Sequence, residues 1–464
     1  MQNIRCIALA LFAVTTMSCS TDEVNPTEPI SSERGGLAGS NTIDPTAIVV
    51  SNTAELEAAL TPANAGRLIQ IRAGLYNLTE LLDVPDGVTL EGEGVMQLGD
   101  AKLPTGFEAG TRTTLRMTVN APGDLLTLGS GVTVRKLAIE DLAGRTGNAI
   151  GIVSRNAGDS LHVILDENEI SNPNAHTIVP AGPAGCGVAI VTQNPNLGSA
   201  PSPHDGSAMS VRITRSLIRS ATTGIGCGVF AFNFASLSSV SVAMTGNVVG
   251  GGLIASGGVS RPDAVHNSMT SIQSQRNFYL NESPNFCLPT RSGWNLQGGS
   301  GTPVPFVIGT TEGNSLRIHS QDDRIHGFTT AVLATAGRRF FGLPTAGPSS
   351  DNQIDMEVIG TTISTPSCGA GTLVADFRLA GALVSNASLA PGDGNTLRAV
   401  IRGVTGSGVR SNLYADVLGP TGPVAPAFQG TGNRLEIAGS LRAFEQTNTA
   451  VEPAPAAEFF TSGK

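Results

Sequence analysis

The densest run of reactive side chains in this 464-residue sequence is Arg317, His319, Gln321, Asp322, Asp323, Arg324 and His326. Two adjacent carboxyls with imidazoles close by are the ingredients of acid–base hydrolysis, one protonating a leaving oxygen while the other activates water. Asp322 and Asp323 are the candidate pair, with His326 or His319 assisting. A second set, Arg261, Asp263 and His266 with Arg291 and Trp294, offers guanidiniums for a uronate carboxylate and an indole for the face of a sugar ring. Each set has a plainer reading, a solvated turn for the first and an Arg–Asp pair fixing a bend for the second. A lyase would instead need carboxylates gathered on Ca²⁺ and a base to take the proton α to a carboxylate. The three lysines, Lys102, Lys136 and Lys464, offer little for that role, and no run of outward Asp and Glu is apparent.

Composition bounds the partners. With 28 Lys+Arg against 37 Asp+Glu the chain carries −9, which excludes a broad phosphate-binding surface and with it nucleic acid. Only 14% of residues are charged and 40% are apolar, which excludes wholesale disorder. Of the six cysteines, Cys186 and Cys227 sit in matching Gly-Cys-Gly-Val phrases, so they fall close together either as a disulfide or as stacked thiols. Cys287 and Cys368 could also pair, though nothing in the sequence demands it. No Cys-x-x-Cys exists, and no metal or organic cofactor is expected, Ca²⁺ aside should the chain be a lyase.

The elements that must position these groups follow from periodicity. Arg5, an apolar run from Ile7 to Val14 and small residues up to Ser18 describe an export signal too short to span a bilayer. Residues 19–46 read as a flexible tether, 47–449 as the body and 450–464 as a tail. Residues 54–60 have helical spacing, with Thr53 as N-cap and Pro62 as terminator. Thereafter apolar residues alternate with a period of two between glycine turns. The phrase apolar–x–apolar–x–x–Asn–x–apolar recurs, placing Val163, Val211, Val242, Ile272 and Ile318 at one position. Asn168, Ser216, Asn247, Asn277 and Asp323 share another. A coil of about 30 residues with insertions near 172–208 and 283–306 accounts for the spacing. Such repeats stack short parallel strands ~4.8 Å apart, with aliphatics piled inward and amides bonding along the axis. Later Gly-Asn pairs at 313–314, 394–395 and 432–433 approach the blade length of a β-propeller, the alternative architecture, which lacks its Trp-Asp signature here.

On these residues the chain resembles the pectate-lyase-like proteins. The helix, Leu68–Ile71, Ala73-Gly74-Leu75-Tyr76 and Val88-Thr89-Leu90-Glu91-Gly92 are similar to their opening coils. The resemblance implies an all-β, single-stranded right-handed parallel β-helix with an N-terminal capping helix, and leaves activity open. Ser18-Cys19 resembles a bacterial lipoprotein junction, which implies lipidation of Cys19, export, and attachment to a membrane through that anchor alone. Gln321-Asp322-Asp323 is similar to the paired-aspartate motif of polygalacturonase-type glycoside hydrolases, without the other motifs of that family. Pro203-His204-Asp205 partly matches an alginate-epimerase motif whose first aspartate is here Ser202. Three expectations result. The first is a surface module binding a polysaccharide or another envelope component; the second is a uronate-active hydrolase, lyase or epimerase using Asp322 and Asp323; the third is a purely structural or adhesive protein.

Overall fold

The computed structural model describes residues 46–439, except 155, 180–181, 193–204, 261–263, 288–291, 302–309, 340–348, 370–373, 385–391, 407–411 and 419–431. Cys19, His204, Arg261, Asp263 and Arg291, together with the signal, nearly all of the tether and the tail, lie outside the described residues.

The alternating stretches become rungs. Three long parallel sheets, of 12, 9 and 10 strands, are visited in turn by the chain, so each complete coil contributes one strand to each wall and the terminal coils contribute fewer. This is a right-handed parallel β-helix, the hand that strand twist favours for parallel crossovers. We call the walls the first, second and third sheets in that order.

Register follows the hydrophobic pattern. Val163, Val211, Val242, Ile272 and Ile318 are consecutive register partners in the first sheet, continued by Met356, Ala399 and Ile437. Slipping any rung by one residue would turn its aliphatic set outward, so the column fixes the register. These residues are buried in one continuous core that runs from Val50 to Ile437.

Two polar columns border the first sheet. At its exit bend, Asn168 N–H donates to Ser216 Oγ at 3.2 Å, Ser216 N–H to Asn247 Oδ1 at 2.8 Å and Asn247 N–H to Asn277 Oδ1 at 2.9 Å. Each asparagine also donates Nδ2 to a carbonyl of the coil before, as Asn247 does to Ile213 at 2.9 Å. At the entry bend a second column runs Ser207, Ser238, Ser268, Asn314, Asn352, Asn395 and Asn433 by the same backbone-to-side-chain bonds. The Gly-Asn pairs that suggested propeller blades are therefore rungs of this second column, 38 and 43 residues apart because the coils are longer there. Both columns satisfy backbone groups that a tight buried bend leaves unpaired.

The helix forms at Thr53–Ala59, one residue from expectation, because Asn52 rather than Thr53 caps it by accepting from Glu55 N–H at 3.0 Å. Leu56 and Ala59 are buried against the core, so the helix covers the first coil's open edge. The long steps are only partly insertions. Residues 177–184 include an antiparallel hairpin, whereas Ser292–Gly301 is itself a rung of the third sheet, paired with Leu253–Ser260 and Thr330–Arg339. Among the described residues no helix is long and apolar enough to cross a membrane.

Candidate functional site

The aspartate pair divides at the exit bend. Asp323 takes the asparagine place in the column and is 1% exposed. It accepts from Asn277 N–H at 2.7 Å and from Ser320 Oγ at 2.7 Å, and burial pushes its carboxyl up to about 6 despite these bonds. Asp322 is exposed at the turn with φ 55°. His319 points out from the first sheet, 2.9 Å from Glu357, and His326 points out from the second sheet, with Phe278 6.3 Å away. The four groups thus lie on one coil but point apart, Asp323 to the core, Asp322 out of the bend, and His319 and His326 out of the first and second sheets. His266 sits at the other end of the rungs, 3.7 Å from Glu312. The seven-residue strand Met269–Gln275 separates that entry bend from the exit bend by ~20 Å.

Trp294, expected at a sugar site, is a core residue. Its ring is 0% exposed and meets Tyr279 edge-on at 5.4 Å inside the core, so it cannot present a platform to a sugar. The strand Ser292–Gly301 alternates such that Trp294 and Leu296 point in while Asn295 between them keeps surface outside.

Outward carboxylates on the first two sheets come interleaved with arginines instead of gathered. Glu91 meets Arg135 at 2.8 Å and Lys136 at 3.0 Å, and Glu140 meets Arg112 and Arg116 at 2.7 Å each. A deeper pair, Asp141 with Arg145, is fully buried near the turn into the third sheet. Arg145 also donates to the carbonyls of Ala121 and Asn148, so its guanidinium is committed to fixing that turn. Burial raises the Asp141 carboxyl, and the arginine opposes it.

Concavity lies elsewhere, at the corner where the second sheet passes into the third. Ile225, Gly226, Gly251, Ile254, Ser292, Asn295 and Phe328 line a shallow cleft whose enclosed space is only about 20 Å³. They come from four successive coils, so the cleft follows the axis for three rung spacings, ~14 Å. Glycine makes the hollow: Gly251, at φ 73°, lies so close to Ser220 and Gly226 that no side chain would fit. At its edge the Glu282 side chain lies across Gly250 and accepts from Ser220 N–H at 2.8 Å. Burial raises the Glu282 carboxyl, while the Ser220 bond and Arg219, 3.8 Å away, pull it back. Below, the Cys287–Cys368 disulfide ties loops two coils apart, and Phe286 rests on Gly327. Above, His176 N–H donates to the carbonyl of Ile225 at 2.7 Å. The cleft thus offers the aliphatic carbon of Ile225 and Ile254 on one side and a hydroxyl and an amide on the other, with Phe328 buried beneath. None of its lining residues stands out in the sequence by residue type, although Ser292 and Asn295 fall in the stretch 283–306 and the glycines at 250–252 are a further signal.

No family model matches the chain, and no curated protein does. Among solved structures, the surface protein and adhesin PfbA of Streptococcus pneumoniae is similar at TM-score 0.22 and 8% identity, over 83% of this chain and 96% of that one. A second structure of PfbA gives 0.23 and 10%, over 87% and 90%. A variant of AlyGC, an alginate lyase of the PL6 family, gives 0.19 and 10%, over 85% and 80%. At these TM-scores the likenesses carry no argument, and the fold stands on the stacked sheets themselves.

Proposed function

We propose that this protein is an exported β-helix module that binds an extracellular or envelope glycan along the corner cleft. The cleft itself carries this reading. It pairs the carbon surfaces of Ile225 and Ile254 with the polar edges of Ser292 and Asn295, the combination that a sugar's apolar face and hydroxyls require. In the same reading residues 1–18 direct export, Cys19 bears the lipid, and residues 19–46 hold the β-helix away from the membrane.

The binding reading is preferred to the enzymatic one because Asp323, the candidate acid or base, is buried in a structural column. The test is retention of labelled neutral and uronate polysaccharides on immobilised protein, with product release followed in parallel. Wild type is expected to retain at least one class without turnover, and Asn295→Ala to lose it while melting normally. Turnover abolished by Asp322→Asn would overturn this reading in favour of the hydrolase.

A further inference from the structure

Just above the cleft lies a cluster that glycan binding does not use. Cys186 and Cys227 begin adjacent rungs of the third sheet and are register partners, joined as a disulfide with Cα atoms 4.6 Å apart. His176 brings Nδ1 to 3.4 Å from Cys186 Sγ, and the three potential donor atoms lie within 4.8 Å of one another. Both cysteines are fully buried in a separate apolar cluster outside the main core, with Phe230, Phe232 and Phe234. Phe230 stands 5.5 Å from the imidazole, and burial lowers His176 to about 4, so the ring is neutral at ordinary pH.

We propose that, once the disulfide is reduced, Cys186, Cys227 and His176 form a three-coordinate site for a thiophilic d¹⁰ ion, with Cu(I) as the ion that fits. Thiolates and imidazole are the soft set that Cu(I) prefers. With metal–sulfur near 2.3 Å and metal–nitrogen near 2.0 Å, a sulfur and a nitrogen on one ion stand roughly 3.5–3.7 Å apart. The Cys186 Sγ–His176 Nδ1 separation of 3.4 Å is already close to that. The phenylalanine wall leaves a dry surrounding, which suits trigonal Cu(I) better than Zn²⁺, whose usual fourth ligand would be water.

The disulfide becomes two thiols by taking two electrons and two protons from a dithiol, which is itself oxidised to a disulfide, or two electrons from a phosphine, with both protons from a water whose oxygen ends on phosphorus. Cu(I) then displaces both thiol protons without changing its own oxidation state. His176 Nδ1 now faces the Ala184 carbonyl at 3.1 Å; to ligate it must carry its hydrogen on Nε2 and give up any bond to that carbonyl. The ligands stand up to 51 residues apart in sequence (176 to 227) and meet only through stacking, so a search for Cys-x-x-Cys passes over them.

The test uses the full chain, reduced with a phosphine, desalted without oxygen and titrated with Cu(I) against a chromogenic Cu(I) chelator. Wild type is expected to take up one equivalent more than Cys186→Ser/Cys227→Ser, and His176→Ala to hold that equivalent at least tenfold more weakly. Alkylation of the reduced wild type, read by mass spectrometry, needs no variant to fold: Cu(I) is expected to protect Cys186 and Cys227. Equal uptake by wild type and the double serine variant, undiminished affinity in His176→Ala, or equal alkylation with and without Cu(I) would each overturn the proposal. So would a Cys186–Cys227 bond that resists the phosphine in the folded chain.

Discussion

The exit bend at Asp323 and the corner at Ile225–Phe328 are opposites. The first collects charged and titratable residues yet is closed, its carboxylate enclosed by Asn277 and Ser320. The second is lined by glycine, isoleucine, phenylalanine, serine and asparagine and is open. In a solenoid, a polar residue at a bend is first a bond to the next coil. Concavity arises where successive bends shed their side chains. Chemistry-bearing residue types therefore mark the architecture here, and their absence marks the surface available to a ligand.

Substitutions sharpen that contrast. Trp294→Ala should cost the most, about 3–5 kcal/mol by thermal or denaturant unfolding, because it empties the core behind the cleft. An unfolding change below about 1 kcal/mol would mean the ring does not fill the core. Asn277→Ala should cost about 2–4 kcal/mol, since it strands the buried Asn247 amides and the Met244 carbonyl together. Asn295→Ala, at the cleft, should leave the midpoint nearly unchanged and weaken glycan retention. A matching loss in the melt would make Asn295 structural. Asp322→Asn should move stability by no more than about 0.5 kcal/mol, as an exposed turn residue does.

The aliphatic column was legible because it obeys a period of two within rungs and a fixed offset to the polar place, from Val163 through Ile318. The exit column was legible for the same reason, including Asp323 as the odd member. The entry column was half legible: its asparagines stood out, but its serines at 207, 238 and 268 look like any turn residue, so the series lost its continuity. Trp294 misled because Ser-Gly-Trp-Asn-Leu-Gln-Gly-Gly has too few apolar residues to show which parity faces in. Of the cleft only the stretch 283–306, which holds Ser292 and Asn295, was legible. Its walls come from residues 225 to 328, and what makes it a cleft is how four coils align.

Asp323→Asn tests the division between structure and chemistry most directly. The raised folded pKa means that the native carboxyl holds its proton where the unfolded chain has released it. Wild-type stability from this group therefore falls as pH rises from about 4 to about 6 and is level above that. His176, lowered to about 4, contributes the opposite slope over a similar range, so the informative quantity is the difference between wild type and variant. An asparagine would complete the amide column and remove the buried charge. We predict that the melting midpoint of Asp323→Asn exceeds wild type at pH 7 and that the gap closes towards pH 4. A variant that melts lower than wild type at pH 7, or a gap independent of pH, would contradict the assignment of Asp323 to the column.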